Sequence, residues 1–215
     1  MTDYFTADTH FGHERILTLG PGRPFETIAD HDETIIRRHR ETVTSDEDTT
    51  YFLGDYALGD RSKAFGYLQR MRGRKILVIG NHDTCFLAEP KGLDRISDYL
   101  AAGFAAVVPF AAYRLPALNK AGRKEQVWLS HFPYDGDSHG EDRHSGMRLR
   151  DEGRTLIHGH VHSEWGLRHS ARTRAIQINV GVDRHDYRTV AAEDLARMVA
   201  AARSTPSDAC RPAQP

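Results

Sequence analysis

Short apolar runs followed by polar turns recur along the whole chain. The densest run, residues 75–79, contains Ile76, Val78 and Ile79 and lies between Gly73 and Gly80, which is typical of a buried strand. Similar runs predict further strands at 4–7, 50–53, 104–115, 127–130, 155–158 and 174–180. The longest of these is expected to break at Pro109, because proline has no amide hydrogen to donate to a sheet.

Apolar positions at helical spacing lie between these runs. They predict four helices, at about 25–43, 60–72, 93–100 and 190–203. Asp60 is placed to cap the second helix and Gly73 to end it. Residues 134–152 have no such periodicity, so we expect a long surface loop that is functional or mobile.

Length and composition restrict the class of protein. The 215 residues suit one α/β domain, expected at 1–203, and the proline-rich stretch 204–215 is expected to be a disordered tail. Lys and Arg (29) balance Asp and Glu (30), so the chain lacks the overall positive charge typical of nucleic-acid binding. With two cysteines, no signal peptide and no apolar run of about 18 residues, the sequence predicts a cytoplasmic protein that does not associate with membranes. Its oligomeric state is left open.

Polar side chains suited to metal binding follow five of the predicted strands. In chain order these turns carry Asp8 and His10; Gly54 and Asp55; Gly80, Asn81, His82 and Asp83; His131; and Gly159, His160, Val161 and His162. The carboxyl ends of strands meet at one edge of a sheet, where α/β proteins commonly place their sites. In extended backbone, positions i and i+2 point to the same side, so each Asp-x-His or His-x-His pair can reach a common centre.

The types of these side chains indicate which metals they can bind. Imidazole and carboxylate without thiolate suit manganese, iron or zinc rather than calcium or a structural zinc ion. Leaving His82 and Asp83 aside, seven candidate ligands remain, too many for one tetrahedral ion. They suit two ions about 3.5–4 Å apart with one carboxylate bridging, an arrangement that can clamp both oxygens of an in-line displacement.

In order and spacing, these five blocks resemble the signature of the calcineurin-like metallophosphoesterases. The first block, DTHFGH at 8–13, is similar to that of a subgroup of small stand-alone bacterial and phage phosphoesterases. The resemblance implies a four-layer α/β/β/α sandwich of two mixed β-sheets flanked by helices. It also implies ligands for two ions, divided as follows: Asp8, His10 and His162 for the first, Asn81, His131 and His160 for the second, and Asp55 as the bridge.

The same resemblance implies how the remaining residues of the turns would act. His82 would protonate or stabilise the leaving oxygen, and Asp83 would orient His82 through a hydrogen bond. The implied activity is that of a dinuclear metal-dependent phosphohydrolase, a phosphodiesterase in which a hydroxide bridging the ions attacks phosphorus in line. Mn²⁺ is the favoured ion, with Fe, Zn, Ni and Co as alternatives.

A few further residues have two readings. His13 would either contact substrate or cap the following helix, and Arg23 would either contact substrate or lie on the surface as a solvated charge. Asp183, in the turn after the last strand, would either steady a metal-ligating imidazole or serve only as a turn residue.

The class of substrate is less well determined. Near-neutral charge favours a small-molecule or nucleotide phosphate ester over nucleic acid, and a phosphomonoester remains an alternative. A nuclease would need a basic strip beside the ions, for which the candidates are Arg143, Arg148, Arg150 and Arg168. A non-catalytic scaffold is disfavoured, because such a protein would be expected to have lost ligands and none is missing.

Overall fold

The computed structural model describes residues 1–117, 124–137 and 140–204. Its strands in chain order are β1 (Asp3–Thr6), β2 (Thr49–Phe52), β3 (Arg74–Val78), β4 (Ala106–Val108), β5 (Ala111–Leu115), β6 (Glu125–Leu129), β7 (Leu156–His158), β8 (Leu167–His169), β9 (Ile176–Asn179) and β10 (Val190–Ala191). Its α-helices are α1 (Ile28–Thr42), α2 (Arg61–Leu68), α3 (Gly92–Ala102) and α4 (Ala192–Ser204).

The strands form two five-stranded mixed sheets, with the orders β10-β1-β2-β3-β4 and β5-β6-β7-β9-β8. In the first sheet β1 to β4 are parallel and β10 is antiparallel. In the second, β6, β7 and β9 are parallel, and the outer strands β5 and β8 are antiparallel. The described residues thus form an α/β sandwich, and the fold class predicted from the sequence is confirmed.

Two apolar clusters hold these layers together. One lies between the sheets and joins Phe5 of β1, Val78 of β3 and Leu129 of β6, together with Leu195 of α4. The other lies on the outer face of the first sheet, where side chains of α1, α2 and α3 pack against β2 and β3. The parallel strands of the first sheet are therefore covered on both faces, which explains the continuous apolar runs of residues 76–78 in β3 and of β4.

Most predicted elements are present, with three differences. Pro109 does separate two strands, β4 and β5, but these belong to different sheets. The strands β8 and β10 were not predicted; β10 has two residues and β8 a single apolar one, so neither has a period to detect. The helix α2 is capped by Asp60 as expected, yet it ends at Leu68 rather than near 72.

The C-terminal end of the chain and the membrane prediction can be compared with the described residues. The tail was predicted at 204–215, but Ser204 is the last residue of α4, and the rest of that range lies outside the described residues. In the part of the chain that is described, no helix combines the length and apolar character needed to cross a bilayer. The cytoplasmic location stays a prediction.

Candidate metal centre

The turns at the carboxyl ends of β1, β2, β3, β6 and β7 meet at one place. Two overlapping groups of side chains have ligand atoms within 4.8 Å of one another: Asp8, His10 and His162 in the first, and Asp8, Asp55 and His131 in the second. Asp55 also lies between the groups, because its Oδ2 is 3.7 Å from Nε2 of His10 and 3.4 Å from Nε2 of His131.

The backbone of this site is unusual. Five of its residues have left-handed φ values: Asp8 (56°), His10 (47°), Asp55 (54°), His160 (73°) and His162 (47°). For a residue with a Cβ this conformation costs on the order of 1–3 kcal/mol, and it is found mainly where function requires it. Asp8, His10 and His162 do converge, whereas His160 is in neither group, and all four residues lie in tight left-handed turns and not in the extended backbone that the i, i+2 spacing suggested.

Burial controls the charges of this site. The side chains of Asp8, His10, Asp55 and His131 are at most 2% exposed. Burial raises the pKa of the Asp8 and Asp55 carboxyls, and burial together with the nearby His162 lowers the pKa of His10 well below its usual value. Without a cation, the protein alone therefore disfavours the ionised form of each of these three groups.

His10 gives the most direct indication of a ligand. Both of its ring nitrogens are buried and neither has a hydrogen-bond partner within the described residues. Buried imidazole nitrogens are normally paired, so a group that supplies the missing partner is expected. A divalent cation fits this position, because it would bind the imidazole and favour ionisation of Asp8 and Asp55. The donor set of carboxylate, imidazole and amide oxygen suits manganese, iron or zinc.

His131 is oriented by the backbone. Its Nδ1–H donates to the carbonyl oxygen of Leu53 over 2.8 Å, which leaves Nε2 free of its proton and directed at the site. The Oδ1 atom of Asn81 lies 3.1 Å from this Nε2. Asn81 and His131 therefore lie close enough together for one ion to reach both, and their role as ligands stays a prediction.

Each histidine of the 160–162 turn is hydrogen-bonded to a carboxylate. Nε2 of His160 lies 3.0 Å from Oδ2 of Asp137, and Nδ1 of His162 lies 3.1 Å from Oδ2 of Asp183. Since a carboxylate accepts, each of these nitrogens donates, and the other nitrogen of each ring remains available as a ligand. The backbone N–H of His160 also donates to both carboxylate oxygens of Asp8, over 3.1 and 3.0 Å.

Asp137 was not identified as part of the site from the sequence. Its side chain is fully buried and, besides His160, contacts the guanidinium groups of Arg143 (2.7 Å) and Arg148 (3.0 Å). Burial opposes ionisation, yet these contacts hold the pKa of Asp137 well below its usual range. Arg148 also donates to the carbonyls of Pro133 and Gly136. Apart from residues 138 and 139, which are not described, the loop 134–152 is thus built around a buried ion cluster tied to His160.

Asp83 does not make the contact with His82 that the sequence suggested. Its Oδ2 accepts the backbone N–H groups of Gly80 (2.8 Å) and Asp55 (3.0 Å), and its Oδ1 accepts that of Tyr56 (3.0 Å). These amides use both carboxylate oxygens, so Asp83 holds the turn that carries Asp55 instead of orienting the His82 imidazole. Burial and the Asp55 charge raise the pKa of Asp83, while the amides act in the opposite direction.

His82 and His13 both border the site. The His82 ring is exposed and lies 5.5 Å, centre to centre, from the ring of His10, and its backbone N–H donates to Asp55. The His13 ring lies 5.5 Å from the other side of the same His10 ring. Since the His13 side chain makes no capping hydrogen bond to the following short 3₁₀ helix, a substrate contact stays a prediction for it.

Arg23 is placed differently from both of its sequence readings. It is 5% exposed and therefore not a solvated charge. Its guanidinium hydrogen-bonds to Asp183, to His31 and to the backbone carbonyls of Asp8 and Thr9. All five N–H donors have partners within the protein, so none is left for a substrate in this arrangement.

Comparisons with known proteins place the chain among phage and bacterial relatives. No protein-family model matches it. The chain is 37% identical over 187 residues to the gene 66 protein of Mycobacterium phage L5, an alignment that covers 84% of this chain and 86% of that protein. The crystal structure of AQ665, a protein of unknown function from Aquifex aeolicus, superposes with a TM-score of 0.65 at 27% identity and covers 92% of this chain and 98% of its own. The phosphopantetheinyl hydrolase of Mycobacterium tuberculosis shows a weak similarity, with a TM-score of 0.34 at 18% identity over 61% of this chain and 42% of its own, which is too distant to carry an argument.

Proposed function

The chain belongs to the same family as the gene 66 protein of Mycobacterium phage L5. We propose that it is a dinuclear metal-dependent phosphohydrolase of the calcineurin-like type that acts on phosphodiesters. Support comes from the site alone, because the names of the relatives state no activity. The observation that carries the proposal is the buried His10 ring with two unpaired nitrogens, placed between the carboxylates of Asp8 and Asp55.

The proposed ligands combine the two groups described above, which supply Asp8, His10, His162, Asp55 and His131, with Asn81 and His160 from the sequence resemblance. Asp8, His10 and His162 would hold one ion; Asn81, His131 and His160 would hold the other, with Asp55 between them. When bound, the two ions would neutralise the phosphoryl oxygens and lower the pKa of an attacking water. Manganese is our favoured ion, and Fe, Zn, Ni and Co are the alternatives.

His82 is the proposed proton donor. Part of the residue is open to solvent, and its ring lies 5.5 Å from the ring of His10, centre to centre. Partial burial, together with the charges of His162 and Arg143, lowers the pKa of His82. A lowered pKa makes the imidazolium a stronger acid but leaves less of the imidazole protonated near pH 7, so the proposal of His82 as proton donor rests on its position.

The surroundings of the site favour a small ester over nucleic acid. A cavity of about 240 Å³, large enough for a ring-sized group, opens at the same edge of the sheets and is lined by aromatic and apolar side chains, among them Phe86, Phe110, Phe132 and Met147. The Phe132 ring also lies 4.9 Å from the His131 ring and so forms a wall shared with the metal ligands. It would suit the apolar part of a small-molecule or nucleotide ester.

The four arginines named above as candidates for the basic strip of a nuclease are all paired with carboxylates. Arg143 and Arg148 contact Asp137, Arg150 lies 3.8 Å from Glu152, and Arg168 lies 3.6 Å from Asp135. No observation in the described residues therefore favours nucleic acid as the substrate.

Hydrolysis of bis(p-nitrophenyl) phosphate and p-nitrophenyl phosphate tests the proposal. Protein dialysed against EDTA should be inactive, Mn²⁺ should restore activity, and the diester should be the better substrate. The His82→Ala variant should bind Mn²⁺ as the wild type does, while its turnover falls by about 10²–10⁴-fold. Hydrolysis that persists unchanged in EDTA would refute the proposal. Cleavage of single-stranded DNA that weakens steeply with salt would replace it with the nuclease alternative.

A further inference from the structure

Arg23 is a buried cation beside the site, and all five of its N–H donors have partners. Nε and one terminal nitrogen of its guanidinium donate to the two carboxylate oxygens of Asp183, over 2.7 and 2.8 Å. The same terminal nitrogen donates to the carbonyl oxygen of Asp8 over 2.7 Å, and the other donates to that of Thr9 over 3.2 Å. One planar group thus holds a carboxylate on one side and the turn after β1 on the other.

This guanidinium connects the segments that supply the first group of ligands. Asp183, clamped by Arg23, accepts from Nδ1 of His162. The Asp8 and Thr9 carbonyls belong to the left-handed turn that presents Asp8 and His10. Arg23 therefore reaches all three side chains of the first group, either through Asp183 or through the backbone of the turn, although Arg23 and Asp183 are 160 residues apart.

Arg23 also contacts the helix α1, through His31. The remaining donor of Arg23 points at Nε2 of His31, 2.8 Å away, and Nδ1 of His31 donates to Asp32 over 2.8 Å. Asp32 in turn accepts the backbone N–H of Gly12. His31 and Asp32 are both at most 1% exposed, and the ring of Tyr187 covers the guanidinium at 5.9 Å. The position of Arg23 is thus fixed by buried groups and not by solvent-exposed ones.

The bridging Asp55 and the side chains proposed to hold the second ion are positioned by other contacts. His131 is oriented by the Leu53 carbonyl, and Asp55 accepts the backbone N–H of His82. His160 is oriented by Asp137. No hydrogen bond of Arg23 described in the structure reaches these residues. We propose that Arg23 is a positioning residue that sets the geometry of Asp8, His10 and His162, so that binding of the first ion depends on it far more than binding of the second.

Lysine at this position separates the role of the guanidinium from that of its charge. Arg23→Lys keeps the positive charge but has one nitrogen, which cannot contact Asp183, His31 and two carbonyls at once. The proposal rests on the proposed function only in assuming that the wild type binds two ions. Mn²⁺ binding is measured by isothermal titration calorimetry and by the EPR signal of the exchange-coupled Mn²⁺ pair, neither of which requires turnover.

We expect the wild type to show two binding steps and a coupled signal. Arg23→Lys should keep one step within about threefold of the wild type, weaken the other by about 10–100-fold, and replace the coupled signal with that of isolated Mn²⁺. Asp183→Asn, which removes the carboxylate that Arg23 clamps, should have the same selective effect and serves if Arg23→Lys does not fold. Arg37→Lys, at an exposed arginine of α1, is the matched control and should leave both steps unchanged.

Two results would overturn the proposal. The first is two unchanged binding steps in Arg23→Lys, and the second is an equal weakening of both steps in a variant that remains folded in EDTA by circular dichroism. Neither result would affect the proposed function, because the wild-type protein would still bind two ions. A wild type that binds no Mn²⁺ would refute both.

Discussion

Replacing Asp83 by Asn distinguishes its observed contacts from the role that its sequence position suggested. Asp83 is 1% exposed and accepts the backbone N–H groups of Gly80, Asp55 and Tyr56 over 2.8–3.0 Å. The amide of Asn keeps one acceptor oxygen and turns an NH₂ group toward at least one of these donors. Loss of one or two hydrogen bonds to a charged acceptor, at about 1.5–3 kcal/mol each, predicts that Asp83→Asn lowers the free energy of unfolding by about 2–5 kcal/mol.

The same substitution should reduce metal affinity, because the Asp55 N–H loses its anchor and the Asp55 carboxylate shifts. Urea unfolding of the EDTA-treated protein measures the stability, and Mn²⁺ titration measures the affinity. The control is Asp98→Asn, at an exposed residue of α3 paired with Arg95, where we expect less than about 0.5 kcal/mol. Unchanged stability and Mn²⁺ binding with reduced turnover would refute this reasoning and support an orienting contact with His82.

Two further perturbations test the packing of the site and the charge state of the core. Gly54→Ala should weaken Mn²⁺ binding, because the φ of Gly54 is +89° and an added Cβ would lie 2.4 Å from Nδ1 of His131 and 2.7 Å from the Cα of Gly80. The control is Gly66→Ala, where an added Cβ meets nothing within 4 Å, and this variant should bind Mn²⁺ normally. Burial lowers the pKa of His39 to about 3. The pKa of His39 in the unfolded chain is about 6.5, so burying the neutral ring has no pH-dependent cost above that pH. As the pH falls from 6.5 toward 3, the unfolded chain binds a proton that the folded protein does not. The free energy of unfolding therefore decreases, by about 2 kcal/mol between pH 6.5 and 5. Urea unfolding at pH 7, 6 and 5 should therefore show a shallower slope for His39→Gln than for the wild type, and parallel slopes would contradict the assignment.

The sequence by itself determined the local features of the fold. The apolar run at 75–79 predicts a strand without reference to any other part of the chain, because its pattern of burial repeats within a few residues. Asp60 and Pro109 likewise have local effects: Asp60 caps the helix α2, and Pro109 lies between the strands β4 and β5. The five polar turns were recognisable because each follows such a run, and the structure brings their side chains together at one edge of the sheets.

Only the tertiary structure decided what the charged residues do. The sequence suggested that Asp83 orients His82, left two readings open for Asp183 and did not identify Asp137, whereas in the structure the first holds a turn and the other two contact His162 and His160. Arg23, for which the sequence suggested a substrate contact or a surface charge, is instead a buried link. The task of an ionisable side chain depends on its burial and on the donors that distant segments bring to it, and no local pattern encodes either of these.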